Sequence, residues 1–311
     1  MAGSPSFPQS LTPIEGALAE RLCEGAVAGL GDCGGPLQAI LDAGFVPPDI
    51  LTGMTLHLLA NQPRRPRRDG EKRGAIEGGV WVREQVTYHA PVRIGDAVRV
   101  TGESVRRFTR RGRRYGVTVS ETRSDEGRLL VSSCTTGLLS YRRDAELKDE
   151  EHGLPESALS IAGPDASAAR ANPCLEALRQ VREGDEIAAG LSAVTLEMMR
   201  LRDAGRDENR IHTDPEVARR EGLAAPIAGG SHVLSFLQVA LIEKWGAECL
   251  LHGAHFDVQW VGQTRAGSFI APRATVTSAT PALIECALEI RGGDRPVLQG
   301  TLALPLGGDA A

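Results

Sequence analysis

The sequence predicts an α+β protein of two halves built alike, each an apolar helix wrapped by an antiparallel sheet. Three observations carry that expectation. Val86-Thr87-Tyr88-His89-Ala90-Pro91-Val92-Arg93-Ile94-Gly95-Asp96-Ala97-Val98 aligns without gaps to Val258-Gln259-Trp260-Val261-Gly262-Gln263-Thr264-Arg265-Ala266-Gly267-Ser268-Phe269-Ile270, with valine, an aromatic, arginine, glycine and a small polar residue in register. Upstream, Ile50-Leu51-Thr52-Gly53-Met54-Thr55-Leu56-His57-Leu58-Leu59 echoes Ile227-Ala228-Gly229-Gly230-Ser231-His232-Val233-Leu234-Ser235-Phe236, and the offsets, 172 residues for the first pair and 177 for the second, are similar. The second helix continues through Leu237, Val239, Ala240, Leu241 and Ile242, apolar nearly all round, so a sheet must enclose it.

Taken in order, the N-terminal half reads as a helix near 51–61 and strands at about 80–90, 96–108, 115–124 and 128–141. The C-terminal half repeats this with a helix near 231–244 and strands at about 254–261, 268–278, 282–291 and 296–305. Gly95 and Gly267 fall where a turn needs positive φ, each followed by a side chain, Asp96 or Ser268, able to bond back to the backbone. The expected domains are therefore 1–145 and 176–306, joined by a linker over 146–175 that begins charged and becomes rich in Ala, Ser, Gly and Pro. Roughly the first fifteen residues and the tail after Pro305 have the composition of poorly ordered ends.

Composition narrows the function classes. The chain has 311 residues, 41% hydrophobic and 24% charged, with a formal net charge of −5, which gives no general attraction to nucleic acid or anionic membrane. No apolar run approaches the ~18–20 residues that cross a bilayer, and Met1-Ala2-Gly3-Ser4-Pro5 lacks the basic and apolar regions of a signal peptide. The six cysteines, Cys23, Cys33, Cys134, Cys174, Cys249 and Cys286, are scattered without a Cys-x-x-Cys pair, as expected of buried thiols in a cytoplasmic protein.

The chemistry concentrates in Asp207-Glu208-Asn209-Arg210-Ile211-His212-Thr213-Asp214, followed by Ala225-Pro226-Ile227-Ala228-Gly229-Gly230. A carboxylate and an imidazole five residues apart precede paired glycines at the mouth of the apolar helix. An acid–base pair beside a backbone anion site is what adding water across an activated double bond requires. Asp207 and His212 can grip one water, and Gly230 can offer its N–H to a developing oxyanion at a helix N-terminus. Asp214 before Pro215 reads as a helix cap.

This segment resembles the signature of MaoC-like (R)-specific enoyl-CoA hydratases, roughly Asp-x-Asn-Pro-(Leu/Ile)-His-x-Asp followed by an apolar pair, His and Gly. Asp207, Asn209, Ile211, His212, Asp214 and Gly230 match; Arg210 stands for the usual Pro and Gly229 for the usual His. The resemblance implies a double hotdog whose C-terminal half is catalytic and whose N-terminal half, lacking the acid–base pair, holds substrate tail or CoA. It implies a hydro-lyase interconverting trans-2-enoyl-CoA and (R)-3-hydroxyacyl-CoA in fatty acid metabolism, with no cofactor beyond CoA as part of the substrate. Asp207, His212 and Gly230 are then catalytic, while Asn209, Arg210, Gly229 and Ser231 meet substrate. Partners would be an acyl-CoA or acyl-carrier thioester, not nucleic acid or membrane, with a homodimer of double hotdogs open as an assembly. A hotdog acyl-CoA thioesterase and a non-catalytic acyl-thioester-binding subunit are the alternatives, because fold alone does not decide chemistry.

Other motifs weigh less. His212-x-Asp214 has no third or fourth partner at metal-ligand spacing, and Gly229-Gly230-Ser231-His232-Val233 breaks the Gly-x-Ser-x-Gly pattern of a serine hydrolase at Val233. Two arginine runs, Arg64, Arg65, Arg67, Arg68 with Lys72 and Arg73, and Arg106, Arg107, Arg110, Arg111, Arg113, Arg114, read first as solvated loops and second as docking sites for CoA phosphates. The second run is expected at a hairpin tip. Only Phe108 and Tyr115 nearby could stack on bases, which disfavours nucleic acid.

Overall fold

The computed structural model describes residues 7–18, 20–62, 80–139, 143–159, 161–203 and 209–307. The first arginine run and Asp207 lie outside the described residues. In the N-terminal half, alternating side chains build β1 (Val80–Tyr88), β2 (Ala97–Arg110), β3 (Arg113–Ser124) and β4 (Leu129–Leu138). The C-terminal half repeats them as β5 (His255–Trp260), β6 (Ser268–Ala279), β7 (Leu283–Gly292) and β8 (Arg295–Pro305). Every pairing among the described strands is antiparallel, in the order β2-β3-β4-β1-β5-β8-β7-β6. The order is the same read outward from either side of the β1–β5 seam, as a double hotdog with a pseudo-twofold axis requires.

The repeated segments behave alike. Gly95 and Gly267 have φ of 86° and 85°, and two residues before each glycine an arginine makes an isolated bridge, Phe45 to Arg93 and Ile227 to Arg265. At the seam, Arg83 grips the Asp257 carboxylate with Nε at 2.9 Å and Nη2 at 2.6 Å, a fork across the two halves. The opposite face is the core: Phe256, Val258, Leu288, Ile290, Leu302 and Leu304 are buried together with the C-terminal hotdog helix.

The helices that matter for the site are α1 (Pro48–Thr52), α2 (Met54–Ala60), α3 (Leu196–Arg202), α4 (Pro215–Arg220) and α5 (Gly230–Trp245). Residues 232–242 of α5 are buried without interruption, which matches its lack of a polar face. The single N-terminal helix expected near 51–61 is instead two, broken at Gly53. The Gly53 N–H bonds the Ile50 carbonyl three residues back at 3.0 Å, and the Thr52 hydroxyl donates to the Pro48 carbonyl at 2.8 Å. Glycine inside a helix has the largest conformational entropy to lose, so the helix yields there.

Two other expectations need correction. The 146–175 segment is not a free linker: Glu150–Gly153 pairs with Arg106–Thr109 of β2, and Asp165 caps the short helix Ala166–Ala169. Near the N-terminus, Gln9–Ser10 and Ile14–Ala17 add edge pairing to β2, as Glu186–Ala188 and Ser192–Val194 do to β6. No described helix is long and apolar enough to cross a membrane.

The connecting segment is clasped to the sheet through polar contacts. His89 Nδ1 meets Asp165 at 2.9 Å and its Nε2 meets Ser132 Oγ at 2.9 Å, while the Thr87 hydroxyl donates to the Ala162 carbonyl at 2.6 Å. Burial alone would raise the Asp165 carboxyl, but hydrogen bonds from Ser167, His89 and the Ala168 N–H outweigh it and hold it at about 2. A depressed carboxyl contributes stability above its ordinary pKa, and that stability is lost as the group protonates. Asp165→Asn should therefore lower the unfolding midpoint at neutral pH and remove part of the wild-type decline between about pH 4 and pH 2; thermal unfolding against pH checks this. At Gly95 and Gly267 an added Cβ would meet nothing within 4 Å, so alanine there is strained only by its backbone. Each Gly→Ala change should cost about 1 kcal/mol or slightly more, equally in the two halves. Denaturation midpoints check it, and no loss in either variant would contradict the turn assignment.

Candidate active site

The site forms where the entry to α5 meets the β1–β5 seam. Ile211, Ala218, Leu223 and Ile227 make a small buried cluster that anchors the loop carrying the motif. The Ala228 N–H bonds the Thr264 carbonyl at 2.8 Å, and Ile227 bridges Arg265, so the chain is fixed before it enters the helix. Gly229 is the N-cap residue and Gly230 the first residue of α5. The opening N–H groups of a helix have no acceptor within it and carry its positive dipole end.

Glycine at 230 is enforced by packing. A Cβ there would stand 2.8 Å from Trp81 Cε3 and 3.1 Å from Trp260, whose rings lie 5.4 Å apart at 58°. Trp81 comes from β1 and Trp260 from β5, so the two halves close on the helix mouth together. Both indole Nε1 atoms are buried and without a hydrogen-bond partner among the described residues.

His212 ends the short 3-10 turn Arg210–His212. Its Nδ1 lies 2.7 Å from the Ile227 carbonyl oxygen. A carbonyl only accepts, so Nδ1 carries the proton, and in the neutral ring Nε2 keeps its lone pair. Nε2 turns toward the N-cap of α5, 3.9 Å from where a Cβ on Gly229 would be. Glycine at 229 thus leaves this face of the imidazole open.

His212, Gly229, Gly230, Ser231 and Asn209 line one cavity of about 400 Å³, together with both tryptophans. Asn209 Nδ2 is buried with no partner among the described residues. Asp207 lies outside the described residues; Asp203 and Asn209, on either side of it, both line the cavity. Arg210, expected to meet substrate, pairs with Asp214 and is not among the residues that line this cavity. Asp214 caps α4, accepting from the N–H groups of Glu216 at 2.8 Å and Val217 at 3.2 Å. Those bonds, with the nearby Arg210 charge, hold its carboxyl below the usual range. Among the described residues, no group of three or more His, Cys, Asp or Glu is placed to hold a metal ion.

Sequence reasoning missed several wall residues. Gly53, Leu56 and His57 of the broken N-terminal helix face the same cavity, as do Arg202 of α3 and Thr264. The echo of Gly53 with Gly230, and of Tyr88 with Trp260, was a usable signal for the first and for one tryptophan; Trp81 and Arg202 had none. The second arginine run does form a hairpin tip, with φ of 52° at Arg111 and 69° at Gly112, as a type I′ turn requires. Arg113 reaches the cavity wall, whereas Arg106 is buried against Glu151 at 2.9 Å. Phe108 and Tyr115 stack on one another at 4.7 Å, which occupies the faces that bases would need.

No family model matches the sequence, and no curated protein matches it. Solved structures do. One is described as a MaoC-like dehydratase, with 16% identity, TM-score 0.65 and coverage of 96% of this chain and 97% of that one. A MaoC-like dehydratase from Phytophthora capsici matches with 12% identity, TM-score 0.63 and coverage of 96% and 95%. A Mycobacterium tuberculosis protein described as a double hotdog matches with 12% identity, TM-score 0.63 and 97% coverage of both chains. The chain is therefore a double-hotdog protein whose structural neighbours are MaoC-like dehydratases.

Proposed function

We propose that this chain is a hydratase/dehydratase acting on acyl thioesters, adding water to a trans-2-enoyl thioester to give the (R)-3-hydroxyacyl thioester and reversing the step. One observation carries the reading. An imidazole whose tautomer is fixed by the Ile227 carbonyl presents Nε2 beside the glycine-only N-terminus of α5, in a single cavity. Asp207 and His212 hold the water; one takes its proton as the hydroxyl bonds to Cβ, and a proton is delivered to Cα. Negative charge passing onto the thioester oxygen is met by the Gly230 N–H and the helix dipole. The tail and CoA rest against the N-terminal half, where Gly53, Leu56 and Arg113 already face the cavity. The thioesterase alternative uses the same cavity but would release thiol, so one assay separates them.

His212→Ala and Asp207→Asn should each lower turnover by about 10²–10⁴-fold with folding retained. Since both groups act on one water, the double variant should lose far less than the product of the two losses. Steady-state hydration of a short enoyl thioester checks this, and unchanged rates in both single variants would remove the assignment. Charge reversal at the exposed Arg110 and Arg111 should raise KM with little change in kcat, because phosphate contacts hold ground and transition states alike. The rise should shrink in high salt. Wild-type KM at low salt would reduce the hairpin to a solvated loop.

A further inference from the structure

The described molecule contains a second buried polar arrangement at the back of this cavity. Arg202 closes α3 with 4% of its surface exposed, and Asp49 in the first turn of α1 is fully buried. Arg202 Nη2 lies 2.9 Å from Asp49 Oδ2 and 3.4 Å from Ser231 Oγ. The pair thus joins three elements: an N-terminal-half helix, the helix leading to the motif loop, and the first turn of α5. Arg202 lines the cavity and Asp49 does not, so the positive pole of the pair lies on the cavity side.

The arrangement is costly, which makes a purely structural purpose a poor explanation. Arg202 Nε and Nη1 and both Asp49 oxygens are buried without a well-formed hydrogen bond among the described residues. A buried ion pair of such quality is often matched or exceeded in stability by apolar residues of similar size. Room is also made for it. A Cβ on Gly29 would stand 2.6 Å from Arg202 Cβ, and one on Gly25 3.1 Å from the Leu201 carbonyl oxygen. The neighbouring His232 adds no competing charge, because burial, reinforced by Arg202, pushes its imidazole down to about 3, and its Nε2 bonds the Gly29 carbonyl at 2.7 Å.

We propose that the Arg202–Asp49 pair is a positioning and field-setting device for the oxyanion site at Gly230: it fixes the first turn of α5 against the N-terminal half and turns a positive pole toward the thioester oxygen. The half without the acid–base motif then contributes to the chemistry through Asp49. This rests on the acyl-thioester reading above. Fixed dipoles aimed at developing charge lower a barrier because they need no reorganisation during the reaction. Arg202 touches no reacting atom; it acts through Ser231 and the helix mouth.

The test uses the full chain and a saturated thioester, butyryl-CoA, which cannot add water, alongside turnover of a short 2-enoyl thioester. In Arg202→Met/Asp49→Leu, the unfolding midpoint should hold or rise, and kcat should fall by at least about tenfold, less than the ~10²–10³ of deleting an oxyanion donor. KM should change little, and the infrared carbonyl band of bound butyryl-CoA should move back toward its position in water. Asp49→Asn leaves the cation uncompensated and should move the band the other way, below wild type, whereas a merely structural role would shift both variants in the same sense. A folded double variant with wild-type kcat and band overturns the proposal, as does a wild-type band already at its position in water. If no enoyl thioester is hydrated yet the band shifts with opposite signs, the reaction assignment fails and the field-setting pair stands.

Discussion

The seam between β1 and β5 is the constraint on which the rest of this structure depends. Five residue pairs, from His255 with Thr87 to Gln259 with Arg83, join two half-sheets that each have one edge to cover. The same seam sets the chemistry. It brings Trp81 and Trp260 together over Gly230, so the start of α5 can approach only as bare backbone. A helix N-terminus with unfilled N–H groups, walled by indoles and adjoining His212, follows from that pairing. Without the N-terminal half there is no Trp81, and the start of α5 would open to water.

Most of the fold was legible because alternation and repetition are local signals. The strands lie within about three residues of their expected bounds, and α5 begins at the second of the paired glycines. The break at Gly53 was written in the sequence too, since glycine is a poor helix residue, but the apolar run on both sides of it read as one helix near 51–61. Linker composition misled over 146–175. Small and charged residues do favour loops, yet Glu150–Gly153 found an open edge on β2, and an unpaired edge takes whatever backbone reaches it. Of the motif's described site residues, Asn209, His212, Gly229, Gly230 and Ser231 line one cavity, while the Arg210 guanidinium is held by Asp214 four residues on, a pairing that i,i+4 spacing could have foretold. Trp81 and Arg202 were illegible because their contacts are set by strand pairing and helix docking between distant segments.

The two halves differ inside as well as at the motif. Glu84 pairs with Thr135 where its repeat counterpart, Phe256, pairs with Leu302. Beside it, Thr55 of α2 shares hydrogen bonds with Ser120 at 2.6 Å and Ser133 at 2.7 Å. Burial pushes the Glu84 carboxyl up to about 8, so near neutral pH the group is largely uncharged. The residues packed around α5 are apolar, whereas a hydroxyl-rich interior lies under the short, broken helix of the other half. That contrast fits a division in which one half fixes the reacting groups and the other accommodates what is attached to them.

Whether water is added to the acyl chain or spent on the thioester bond is the central question for this cavity, and isotopic labelling answers it most directly. The chain would be incubated with a short trans-2-enoyl-CoA in heavy-oxygen water and the products resolved by mass spectrometry. The expected product is an intact thioester carrying one heavy oxygen at C3, formed by wild type and lost in His212→Ala. Free CoA with the heavy oxygen in a released carboxylate would contradict it and make the protein a thioesterase.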